Sequence, residues 1–160
     1  MLSVMSKILV VYYSWTGHTQ EVADAIAAAL GADVERIRES RPRSGWLGYL
    51  ATAWEVLREH LVPIKVLEKD PFAYDLLVIG TPVWVGRMST PVRSFIVGER
   101  HKFKRIALFC TQGGANEQIA LPQIASLCGK EPVATLAVSS SDFKSGAWRA
   151  KVGEFVNALK

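Results

Sequence analysis

The chain has 160 residues, of which 49% are hydrophobic and 21% charged, and its formal net charge is +4. This is the length of one domain, with enough apolar material to bury a full core. No apolar run reaches the ~18 residues of a membrane span, and the two cysteines, Cys110 and Cys128, are too few for a disulfide framework and lack metal-ligand spacing.

Residues 1–6 read as a loose leader, with Met5 as an alternative start. Residues 8–13 are continuously apolar, too short for a signal-peptide core and with no small-residue cleavage site after them, so they are expected to form a buried first strand. The spacing then predicts a helix over 20–30, where Val22, Ala23, Ile26, Ala27 and Leu30 share one stripe and Gly31 stops it. A second strand is expected over 33–38, and a helix over 46–61, with Leu47, Leu50, Trp54, Leu57 and Leu61 at three-and-four spacing before Pro63. Residues 76–80 and 106–110 are apolar runs of the kind a strand covered on both faces shows. Between them a helix over 91–97 opens on Pro91. A short helix within 118–127, a fifth strand over 133–138 and a helix over 147–159 burying Val152, Phe155, Val156 and Leu159 complete one domain over 1–160.

Strands alternating with helices imply parallel pairing through right-handed crossovers. The expected architecture is α/β, an open five-stranded parallel sheet with helices on both faces. Ligands of such sheets sit beyond the carboxyl ends of the strands, where strand order reverses. The loops after Tyr13, Gly80 and Cys110 lie there.

The first loop, Ser14-Trp15-Thr16-Gly17-His18-Thr19, sets three hydroxyls and a glycine where a helix start leaves backbone N–H groups unpaired. A phosphate dianion suits such a place; the alternative is that Thr19 or a neighbour caps the helix. The loop is neither a Walker A motif nor GxGxxG. In the second loop, residues 81–91, Trp84 offers a face for a planar heterocycle or folds into the core. The third, residues 111–116, carries Gly113-Gly114, which lets amides face a ligand edge or simply turns the chain. No catalytic or metal-ligating set emerges. The cysteines are expected to be buried free thiols and the protein cytoplasmic. The clusters Arg36, Arg38, Arg41, Arg43 and Arg100, Lys102, Lys104, Arg105 can attract acidic partners or anionic surfaces, or be solvated faces, and no nucleic-acid motif accompanies them.

Ser-x-Thr-Gly-x-Thr after the first strand, Thr-Pro-x-Trp-x-Gly after the third and Thr-x-Gly-Gly after the fourth resemble the flavodoxins, over nearly the whole chain. The resemblance implies strand order 2-1-3-4-5 and one non-covalent FMN at the switch point. It implies that Ser14, Thr16, Gly17, His18 and Thr19 hold the FMN phosphate, with Trp15 beside it. Pro82, Val83, Trp84, Val85 and Gly86 would flank the isoalloxazine, with Arg87 next to them, and Thr111, Gln112, Gly113 and Gly114 would lie near its pyrimidine end. In the family a peptide of the second loop turns on reduction, which places that role at Val85–Gly86 or Gly86–Arg87. Two departures stand out. Residues 111–117 contain no aromatic to cover the outer flavin face, leaving it open or covered by Trp46 or Tyr49. The chain is also basic where many flavodoxins are acidic, and Arg87 either eases formation of the anionic reduced flavin or points into solvent. Arg41 and Arg43 are expected on the flavin side, and residues 100–105 at the opposite end.

The function implied is an FMN-binding electron-transfer flavoprotein shuttling electrons between redox partners, a redox protein or a small quinone-like acceptor. Left open are an FMN-dependent NAD(P)H:quinone-type oxidoreductase and a flavin-free binding module. Nucleic acid and membrane insertion are not expected, and the chain would be a monomer or weak dimer.

Overall fold

The computed structural model describes residues 5–41, 45–114 and 119–160, apart from the side chains of Trp46 and Tyr49. Its elements in chain order are β1 (Ile8–Tyr12), α1 (His18–Leu30), β2 (Asp33–Arg36), α2 (Gly45–Leu57), β3 (Leu76–Trp84), β4 (Arg87–Met88), α3 (Thr90–Glu99), β5 (Arg105–Gln112), α4 (Ala120–Cys128), β6 (Thr135–Ser139), α5 (Ser140–Ser145) and α6 (Trp148–Leu159). Five strands pair in parallel in the order β2-β1-β3-β5-β6, and the two-residue β4 runs antiparallel to β3. The parallel path is the 2-1-3-4-5 order implied by the resemblance, once β4 is set aside.

Both faces of the sheet are covered, which is why the central strands β1, β3 and β5 carry unbroken apolar runs. Leu9, Val11, Leu77, Ile79, Ile106 and Leu108 face α3 and α4, whose Val92, Phe95, Ile96 and Ile124 complete one cluster. Val10, Tyr12, Val78, Ala107, Phe109 and Val138 face α1 and α6, with Val22, Ile26, Val152 and Phe155. Each such side chain, fully buried, contributes about 1.5–3 kcal/mol of apolar transfer energy.

Because the strands are parallel and nearly in register, Tyr12 stands beside both Arg36 and Gly80, Pro82 beside Thr111, and Gln112 beside Ser139. One end of the sheet therefore collects all three loops singled out above.

Three expectations need correction. The apolar run at 76–80 does not end there, since β3 continues to Trp84 and returns through β4 as a hairpin. β1 stops at Tyr12 opposite Gly80, so Pro82 has no ladder donor to supply on that side. The residues after the last ladder strand do not pass straight to one helix, because α5 precedes α6. Its signal was present: Ser139 and Asp142 form a reciprocal capping box.

The third correction concerns α2, expected over 46–61, which ends at Leu57. Leu47, Leu50, Trp54 and Leu57 are 66%, 53%, 52% and 56% exposed, and Leu61 is 53% exposed. Among the described side chains of α2, Thr52 and Val56 are buried. The apolar stripe exists and faces outward.

Met1–Val4 of the expected leader, Arg43, residues 115–116 of the third loop and Gln118 lie outside the described residues, as do the side chains of Trp46 and Tyr49. Among the described residues, no helix is long and apolar enough to cross a membrane.

Candidate functional site

The first loop begins where β1 ends. Its buried Ser14 closes the turn by accepting a bond from the Gly17 N–H at 3.1 Å. Arg36, at the end of the neighbouring β2, donates to the Ser14 carbonyl at 3.0 Å and to Gln20 at 3.2 Å, bracing the loop from the side. Gly17 takes φ 104°, a left-handed conformation that favours glycine, and is itself the N-cap of α1. A glycine cap brings no side chain, and α1 has no side-chain cap bond. Thr19 is therefore not a cap. Its buried hydroxyl instead meets that of Thr111 at 2.7 Å, joining the first loop to the third. The N–H groups of the first turn of α1 are left to face whatever enters the loop.

The second loop is a tight hairpin. Trp84 pairs with Arg87, and the two residues between them, Val85 and Gly86, both have positive φ, 52° and 75°. A two-residue loop with both φ positive is a type I′ turn, which suits glycine but strains a β-branched residue such as Val85. The Gly86 carbonyl accepts a bond from the Ile119 N–H at 2.8 Å, at the start of α4. Turning the Gly86–Arg87 peptide would break that bond.

Trp84 lies between the core and the cleft. It packs against the core cluster under α3 and α4, and it lines the cleft, edge-on to Tyr13 and Trp15 with ring centroids 5.5 Å apart in each case. Arg87 is a third exposed and ion-paired. Its guanidinium lies 3.6 Å from the Glu59 carboxylate, which Arg93 approaches at 3.7 Å.

Trp15, Thr16, His18, Thr19, Pro82, Val83, Trp84, Thr111, Gln112 and Gly113 line a single cleft of about 200 Å³ at the carboxyl end of the sheet. Ser14 and Gly17 shape the turn behind it, while Val85, Gly86, Arg87 and Gly114 do not line it. Ser140 and Phe143 of α5 complete the wall and were not singled out from the sequence. Phe143 stacks on His18 at 4.7 Å and 24°. Arg36, too, was read only as part of a charge cluster. The donor set matches an anion attached to a flat ring. Backbone N–H groups and hydroxyls gather at one end of the cleft, and two indoles at its side.

Both cysteines are buried and free. Among the positive residues, Arg41 is exposed at the cleft end, whereas Arg105 opens β5 at the other.

A family model described as flavodoxin matches residues 7–132. Among curated proteins, an NAD(P)H dehydrogenase (quinone) of Cupriavidus metallidurans is 37% identical over 97 residues, 58% of this chain and 46% of that protein. One of Nitrobacter winogradskyi, with the same name, is 34% identical over 116 residues, 69% of this chain and 55% of that protein. The chain thus spans about half the length of the curated relatives it matches. A Lactobacillus acidophilus flavoprotein solved in complex with FMN is similar in fold, with TM-score 0.73 and 23% identity over 89% of this chain and 98% of that one. A two-electron reduced Megasphaera elsdenii flavodoxin has TM-score 0.57 and 23% identity, covering 96% and 99%.

Proposed function

Because this chain belongs to the flavodoxin family, we propose that its cleft holds one FMN and that the protein transfers electrons by way of it. The observation that carries this reading is the start of α1, capped by a left-handed glycine with no side chain of its own and walled by Thr16, Thr19 and Thr111. A phosphate dianion at that place receives backbone N–H bonds and the positive end of the helix dipole. The flavin, when bound, supplies one- and two-electron redox chemistry, and the protein supplies orientation and electrostatics. Ser14 and Gly17 would shape the turn around the phosphate, Trp84 and Trp15 would border the ring, and Gln112 and Gly113 would stand along its polar edge. Charge-assisted bonds of about 1.5–3 kcal/mol each, three or four in number, with ring contacts reach micromolar affinity or tighter.

The Arg87–Glu59 pair spends part of the positive charge near the hairpin.

A second reading is favoured by the curated relatives named NAD(P)H dehydrogenase (quinone). The protein would then pass electrons from a nicotinamide donor to a quinone-type acceptor stacked on the outer flavin face, which no aromatic of residues 111–117 covers.

The experiment is a titration of the chain with FMN, followed by addition of NADH or NADPH with and without a quinone. Binding is expected to be at least micromolar and to weaken about tenfold or more in the Thr16→Val/Thr19→Val double variant, from loss of hydroxyl partners. Turnover without a separate reductase selects the quinone reductase; slow reduction rescued by one selects the carrier. A protein that stays colourless in excess FMN rejects both.

A further inference from the structure

Residues 14–21, the first loop and the opening of α1, contain no lysine or arginine, and their one carboxylate, Glu21, is exposed. A dianion in that loop meets no lysine or arginine of the loop itself. The neighbouring strand brings one. Arg36 is the last residue of β2 and stands in register beside Tyr12, just before the loop begins. Its two terminal nitrogens part company: Nη2 donates to the Ser14 carbonyl at 3.0 Å and Nη1 to the Gln20 side-chain oxygen at 3.2 Å. The guanidinium therefore clasps the loop at its first residue and at the residue that follows its last. Between those points the Ser14 hydroxyl takes the Gly17 N–H, and the Thr19 hydroxyl meets that of Thr111.

Neither acceptor of Arg36 is charged, so these bonds leave its positive charge uncompensated. The carboxylates around it are engaged elsewhere. Glu35, its neighbour on β2, is buried and accepts from the N–H groups of Glu68 and Lys69, with the Lys69 ammonium 3.9 Å away. Glu39 accepts from the Tyr13 hydroxyl at 2.6 Å. The Ser14 carbonyl also shares its peptide with the Trp15 N–H. A cationic donor on that oxygen polarises the peptide and strengthens the N–H as a donor in turn.

We propose that Arg36 is the positioning residue that tunes this cleft to a phosphorylated flavin, supplying positive charge to the loop from behind and so favouring FMN over riboflavin. It acts through Ser14 and Gln20, the two residues it holds. The two flavins share the ring and the ribityl chain and differ only in the phosphate. A mechanical brace serves both equally, whereas a charge serves only the one that carries the dianion. The inference rests on the FMN reading proposed above.

The test is titration of the full chain with FMN and, separately, with riboflavin, at low and at high salt, followed by quenching of flavin fluorescence. Arg36→Gln should weaken FMN about fivefold or more and leave riboflavin within about twofold of the parent. The FMN affinity of that variant should also fall less steeply with salt, since one cation fewer is there to be screened. Arg36→Lys keeps the charge while losing the planar fork, and should recover most of the FMN affinity. Equal losses for the two flavins overturn the proposal, as do parallel salt dependences, and Arg36 is then a brace alone. An Arg36→Gln variant that binds FMN as the parent does overturns it as well. These results, in a parent that binds FMN, reject only the role of Arg36. A parent that binds neither flavin rejects the FMN reading, and the proposal with it.

Discussion

Gly80 and Phe109 are neighbours across β3 and β5, on the face covered by α1 and α6. A Cβ at Gly80 would run into the Phe109 ring, and both residues lie in fully buried strand. Gly80→Ala should therefore cost about 1–3 kcal/mol by overpacking, a drop of a few degrees in Tm that thermal unfolding would register. An unchanged Tm would mean the ring has room to move. Cys110 is as deeply placed. Burial pushes its thiol up to about 12 and that of Cys128 to about 11, so neither forms thiolate at neutral pH. In the folded protein both should resist a disulfide-exchange reagent at mildly alkaline pH and react once denaturant is added. Rapid labelling of the native chain would contradict the packing described.

Among the elements, α5 is the shortest helix and holds the cleft wall through Phe143. Its start is fixed by Asp142, which accepts from the Ser139 N–H at 2.8 Å and from Lys151 of α6 at 2.8 Å. These partners, Lys151 foremost, hold the carboxyl at about 2, below the ordinary 3.8. The ionised form is the stabilised one. The contribution is thus full above the ordinary value and is lost as pH falls through about 2. Asp142→Ala should cost about 0.5–2 kcal/mol near neutrality and flatten the acid limb of the stability curve. Parallel limbs in the variant and the parent, measured by denaturant unfolding across pH, would show that the box carries no such linkage. The hairpin of β3 and β4 is tied to the start of α4 instead, by the Ile119 N–H on the Gly86 carbonyl and by the Met88 N–H on Gln123 Oε1.

For the molecule as a whole, the parallel sheet was legible because strands buried on both faces leave no polar alternation, and the loops at their carboxyl ends followed from topology. The course of residues 82–84 was not, because a proline normally stays out of a strand's interior, and the early end of β1 leaves it free to extend β3. Periodicity located the stripe of α2 but carries no information on which way a stripe faces. The bracing role of Arg36 depends on β2 lying beside β1, a pairing between segments distant in sequence. A longer separation gives the Thr19–Thr111 contact its interest, for it links positions 92 residues apart through a single bond. Two hydroxyls carry two hydrogens and either oxygen can be the donor, so one hydrogen is consumed between them and the other is left over. Rotating both O–H groups together moves that spare hydrogen from one threonine to the other without displacing a heavy atom. The floor of the cleft can in this way reverse its local polarity to suit the guest, at no cost in packing.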